Sequence, residues 1–244
     1  MPSGLKWATC NVGATKPEDF GLYFAWGETQ GYTGITDEKQ FSWSDYKLCD
    51  GSSNILTKYS TKSSYGTVDN LTTLEQVDDA AYTSDNTCRM PTKAELEELT
   101  ANTTSTFETL NGVNGRRFTS KTNGNSIFVP AAGGCGNGSV DSVGSVCLLW
   151  SSSLYDNSPK SGWFLYFYSG GVSMYGSTRC DGLTVRAVQE ANISSKFDPK
   201  ETVSKLSDLE SKTVEIENQL SNVYTKEEVD DLIPTDYITE EQLT

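Results

Sequence analysis

Residues 150–188 read WSSSLYDNSPKSGWFLYFYSGGVSMYGSTRCDGLTVRAV, and two kinds of side chain are interleaved there with period two. Leu165, Phe167, Val172 and Met174 alternate with Phe164, Tyr166, Tyr168, Ser173 and Tyr175. A strand sends successive side chains to opposite faces, so the first set predicts a core face and the second an outward face. The turn falls at Ser169, Gly170 and Gly171, which makes the segment a hairpin. Tyr, Phe, Ser and Gly on the outward face are the residues of a contact surface rather than of a solvated one. Fully buried, each aromatic ring covers about 150–250 Å², so half-exposed rings would form a patch of roughly 300–500 Å², large for a monomer surface. A hairpin buried on both faces is the competing reading, but Ser169, Ser173 and the glycine pair would fill such a core poorly.

On either side of the hairpin, residues 1–190 predict one domain rich in Gly, Ser, Thr and aromatics, with short strands, one or two helices and long irregular loops: an α+β chain. LKWATCNV predicts a first strand over 5–12, and GLYFAWGE an apolar run over 21–28. Residues 29–77 are polar and aperiodic and predict an extended surface insertion. A short helix is predicted over 78–82. The clearest helix begins after Pro91, where Thr92 and Glu95 form a capping box ahead of Leu96 and Leu99. Segments 116–120 and 125–133 predict a hairpin turning at Asn123-Gly124, followed by a glycine-rich loop.

Beyond a linker at 191–198 the hydrophobic period changes. Leu206, Leu209, Thr213, Ile216, Leu220 and Val223 follow a three-four spacing, predicting a coiled-coil oligomerisation helix over 199–224, with trimers or tetramers favoured over dimers. A single amphipathic helix packed on the body is the alternative; its densely charged opposite face argues against it. Thr225 and Glu228 cap a further short helix, and residues 225–244 predict a connector to another unit.

Composition narrows the function classes. The net charge of −14 argues against nucleic acid and anionic membranes as partners. Residues 198–244 alone hold 4 Lys against 13 Asp and Glu, a balance of −9. The chain has no histidine, which excludes nucleophile–histidine catalysis in its usual form and zinc sites built on His. Six cysteines lie scattered without a CxxC pair, compatible with disulfides or with free buried thiols. No apolar run is long enough to span a bilayer and no signal peptide precedes Met1, so no membrane insertion is expected.

Taken in order, GLKWATCNVGATKPEDFGLYFAWGET, CRMPTKAELEEL, LWSSSL, FYSGGVSM and GLTVRAV resemble C-type-lectin-fold domains of the formylglycine-generating-enzyme type. The chain is most similar to the variable proteins of diversity-generating retroelements, over about residues 3–190. The resemblance implies a variable region over about 150–188 in which adenines at Asn-type codons are randomised. Such codons cannot yield Trp, Met, Lys, Glu or Gln. None of those types occurs at Phe164, Tyr166, Tyr168, Gly170, Gly171, Ser173, Tyr175, Gly176, Ser177, Cys180 or Asp181, the positions expected to bind ligand, whereas Trp163 and Met174 fall in the scaffold set. The family scaffold would comprise Trp150, Ser151, Ser152, Leu165, Phe167, Val172, Arg179, Gly182, Val185 and Arg186. The implied function is receptor recognition without catalysis and without a cofactor. It fits a phage tail fibre, in the virion, that binds a bacterial cell-surface protein or glycan as a homotrimer; a bacterial cell-surface adhesin is the alternative. An oxidase of the formylglycine-generating type would need a pair of active-site thiols, and no two of Cys135, Cys147 and Cys180 match that motif. The calcium-binding tripeptides of sugar lectins are absent too.

Overall fold

A computed structural model describes residues 3–190 and 211–216. The chain divides into two units, Met1–Ala191 and Asn192–Thr244. In the second, residues 211–216 are helical and exposed, Thr213 and Ile216 among them. Leu206, Leu209, Leu220 and Val223, and with them the coiled coil and the connector, lie outside the described residues.

The first unit is mixed α+β, mostly sheet with few helices. Its centre is β8 (Cys147–Leu154), β9 (Ser161–Tyr168) and β10 (Gly171–Thr178), extended by β11 (Leu183–Thr184) and β2 (Tyr23–Phe24) in the order β10-β9-β8-β11-β2. The hairpin read from the sequence is therefore real, and β10 is an edge strand. A second sheet is formed by β3 (Thr103–Leu110), β4 (Val113–Ser120) and β5 (Ser126–Pro130), all antiparallel. Two small ribbons pair β1 (Lys6–Trp7) with β12 (Val188–Gln189), and β6 (Gly134–Gly136) with β7 (Ser139–Asp141).

Two helices complete the unit. In α1 (Ala80–Ser84), the Asp79 carboxylate accepts from the N–H groups of Ala81 and Tyr82. In α2 (Lys93–Asn102), Thr92 and Glu95 close the capping box that their spacing predicts. Helix α2 lays Leu96 and Leu99 against Cys147, Leu149, Leu165 and Phe167, with Phe118 of β4 joining them. The other face of the central sheet is also covered: Trp150, Phe164, Leu154 and Leu183 pack with Phe24, Trp26, Tyr59 and Met90. Alternation sorts Leu165 and Phe164 onto opposite faces, as read, but the second face is a core too over most of its width.

Three further expectations need correction. Residues 29–77 are not a surface insertion: Lys39, Phe41, Tyr46, Leu56 and Tyr59 are buried. They were illegible because the segment folds through turns, with Phe41 and Tyr59 at positive φ, and so shows no period. The strand predicted over 5–12 is regular only at Lys6–Trp7, although Ala8 and Val12 still donate to the carbonyls of Ala187 and Val185 at 2.9 Å. Strand β3 was not anticipated at all, because TTSTFETL is polar on both faces and carries one ring, Phe107. All six thiols are free. No helix among the described residues is long and apolar enough to cross a membrane.

Candidate binding face

The register of β9 on β10 fixes which side chains share a face. Tyr168 lies opposite Gly171, Tyr166 opposite Ser173, Phe164 opposite Tyr175, and Gly162 opposite Ser177. Paired residues in an antiparallel ladder point the same way, so Tyr166, Tyr168, Ser173, Tyr175 and Ser177 stand on one side. Tyr168 is 44% exposed and Tyr175 53%, while Tyr166 is half-buried with Leu148 as its neighbour across the β8–β9 ladder. The ring centroids of Tyr166 and Tyr168 are 5.7 Å apart, and those of Tyr166 and Tyr175 5.8 Å. The three rings thus form one connected aromatic surface at the free edge of the sheet.

Five of the expected positions lie elsewhere or act otherwise. Phe164 is only 7% exposed, its ring 6.2 Å from that of Trp150, so it belongs to the core beneath the tyrosines. Cys180 is 3% exposed, in the cluster around Phe41 and Tyr46. The crossing from β10 to β11 carries it inward, and burial pushes its thiol up to about 12. Gly176 is exposed but pairs with Trp163, on the side opposite the tyrosines, where an added Cβ would meet the Tyr155 ring at 2.6 Å. Gly170 does not leave an open recess: a Cβ there would come within 2.5 Å of the Tyr168 ring, which folds across the turn. Asp181 is half-buried and accepts a 2.7 Å hydrogen bond from the Ser177 hydroxyl.

The residues that hold this face still include Trp150, Arg179 and Arg186, expected in the scaffold, and Arg116, which the sequence reading missed. Arg116, reaching over from β4, donates from Nη2 to the Tyr168 carbonyl at 2.6 Å and from Nη1 to Ser105 Oγ at 2.9 Å. Its guanidinium lies 5.9 Å from the Phe167 ring centroid, so the hairpin tip is tethered from the scaffold side. Arg179, wholly buried, anchors the other end of β10. It donates to the Tyr46 hydroxyl and to the carbonyls of Lys58, Tyr59 and Pro159 at 2.9–3.2 Å, and its guanidinium stacks near the rings of Trp26, Tyr46 and Tyr59. Arg186 is buried likewise on Asn11, Ala8 and Phe128, with desolvation lowering its pKa to about 10. The Trp150 indole donates to the Phe24 carbonyl and that of Trp26 to the Ser151 carbonyl, each at 2.8 Å. Of the expected scaffold residues, Trp163, Val172 and Met174 are partly buried and the rest are buried.

Cys135 and Cys147, like Cys180, are buried with thiols pushed to about 12, so little thiolate forms at neutral pH. Among the described residues no group of His, Cys, Asp or Glu is placed to hold a metal ion. A groove of about 570 Å³ runs between β1, the end of α2 and the second sheet, lined by Leu5, Trp7, Leu99, Phe118 and Ile127. Lys6 is its only titratable side chain, which leaves the tyrosine face the stronger candidate. Comparison with known families, curated proteins and solved structures found no match to this chain.

Proposed function

We propose that the chain is a receptor-recognition protein that binds its ligand through Tyr166, Tyr168, Ser173 and Tyr175, in a domain of the C-type lectin fold. One observation carries this reading: three adjacent tyrosines stand at a sheet edge whose strands are clamped at both ends by buried arginines. Tyr suits such a surface because it offers a large area and a hydroxyl while immobilising only two torsions. Rigid backing lowers the ordering cost of association. With the resemblance read from the sequence, the biological setting is a phage tail fibre that attaches to a bacterial cell-surface receptor, the C-terminal heptads joining three copies. Recognition is without catalysis, a view that the buried, protonated thiols favour.

The test is adsorption of the fluorescently labelled full chain to a panel of diverse bacterial strains, read by flow cytometry. The Tyr168→Ala, Tyr175→Ala double variant is expected to lose labelling of every strain that the parent labels while still melting as a folded protein. Equal labelling by parent and variant would refute the assignment of the face.

A further inference from the structure

The face is uncharged in a way that gives weight to one residue. From Ser161 to Thr178 no side chain is ionisable except through the tyrosine hydroxyls. The next charge, Arg179, is turned inward and spent on the scaffold. Asp181 is the first charged residue of this segment left on the ligand side. Ser177, which donates to its Oδ2 at 2.7 Å, sits two residues along β10 from Tyr175 on the same side of the strand. Asp181 takes part in no ion pair among the described residues, and a Cβ at Gly136 would lie 3.4 Å from Oδ1, so β6 walls it in.

Resting on the recognition reading above, we infer that the face takes a cationic side chain, arginine or lysine, presented by a protein partner and seated between the tyrosine rings and the Asp181 carboxylate. Ring faces are negative and attract such a cation. The ring planes diverge, by 38° between Tyr166 and Tyr168 and by 75° between Tyr166 and Tyr175. The three rings therefore present both faces and edges rather than one flat platform, a surface on which a guanidinium or ammonium group meets more than one ring. The field of the whole unit has the same sign: residues 1–190 hold 14 Lys and Arg against 20 Asp and Glu, a balance of −6. Burial also holds the Asp181 carboxyl above its usual range, a desolvation cost that an arriving cation would relieve.

Saturation-transfer NMR on the full chain tests this with three probes: acetyl-arginine methylamide, its neutral isostere acetyl-citrulline methylamide, and methyl glucoside. The arginine probe is expected to be saturated about 3–5-fold more than citrulline, the preference of a partly exposed cation–aromatic contact. Asp181→Asn, which keeps the acceptor for Ser177, should level the two probes. Glu97→Gln removes the same charge from exposed Glu97 on α2, across the sheet, and should leave the ratio unchanged. Equal saturation by arginine and citrulline, a ratio indifferent to Asp181→Asn, or a stronger response to the glucoside would each overturn the inference. If the tyrosine double variant still abolishes cell labelling in that case, the binding face stands and only its ligand class falls. If cell labelling survives those substitutions, the face itself falls.

Discussion

Phe164 and its two tyrosine neighbours offer a direct measurement of where the core ends. They share one side of one hairpin, yet Phe164 is 7% exposed while Tyr168 and Tyr175 are 44% and 53% exposed. Truncating Phe164 to alanine removes a ring held 6.2 Å from Trp150 and 6.3 Å from Tyr175 and leaves a void between them. Large-to-small changes of this kind cost about 3–5 kcal/mol, transfer and cavity contributions together. Tyr168→Ala and Tyr175→Ala each give up a cross-strand contact and a ring already half in water, worth about 0.2–1 kcal/mol. In a unit of this size 1 kcal/mol moves the melting temperature by roughly 2–4 °C, so Phe164→Ala should melt roughly 6–20 °C lower and either tyrosine variant within about 4 °C of the parent. Urea denaturation of the three variants, followed by tryptophan fluorescence, reads the same differences as shifts in midpoint. Comparable losses at all three positions would mean that the tyrosines are structural, and the reasoning that assigns them to a ligand would fail.

Two further outcomes follow from the clamps. Arg179→Met removes four hydrogen bonds and strands the carbonyls of Lys58, Tyr59 and Pro159 in the interior, a loss of about 3–5 kcal/mol that a thermal melt detects; a drop under about 1 kcal/mol would show the guanidinium to be dispensable. Burial alone would raise the Glu95 carboxyl, but hydrogen bonds from Arg89 and Thr92 outweigh it and hold the group below its ordinary value of 4.5. A carboxyl depressed in the folded state stabilises above its unfolded pKa, and that stabilisation is lost as pH falls through the folded value. Urea midpoints from pH 7 to 3 should therefore fall less steeply below about pH 4.5 for Glu95→Gln than for the parent; parallel acid limbs would contradict the ion pair.

How much of this was legible depended on whether a feature is local. The capping box of Thr92 and Glu95 needs only neighbours three residues apart, and it forms as written. The alternation of Leu165 and Phe167 with Tyr166 and Tyr168 needs only the geometry of a strand, and the register obeys it. Phe164 failed because alternation says which side a ring takes and nothing about what covers that side. The cover comes from Trp26, Tyr59 and Trp150, contributed by separate parts of the chain. Cys180 failed because the chain leaves β10 and turns inward, and period two no longer applies past Thr178. Arg116 was unreadable for the same reason: its contact with the Tyr168 carbonyl spans 52 residues. The segment 29–77 hid its core residues because turns with Phe41 and Tyr59 at positive φ impose no repeat.

The arrangement separates what stabilises the hairpin from what it presents. Its inward side chains, Leu165 and Phe167, lie in a closed cluster with Leu96, Leu99 and Phe118, and its ends are tied by Arg116 and Arg179 through backbone carbonyls rather than through side chains of the exposed face. A carbonyl acceptor is present whatever residue carries it, so replacing Tyr168 does not remove the partner of Arg116. The same holds for the ladder between β9 and β10, whose hydrogen bonds run through the main chain. The exposed side chains Tyr168, Ser173 and Tyr175 are therefore free to change at small cost in folding energy, while Phe164, directly opposite Tyr175 in the register, is not. Such a boundary, drawn within a single hairpin, is the physical requirement for a surface that varies on a fixed fold.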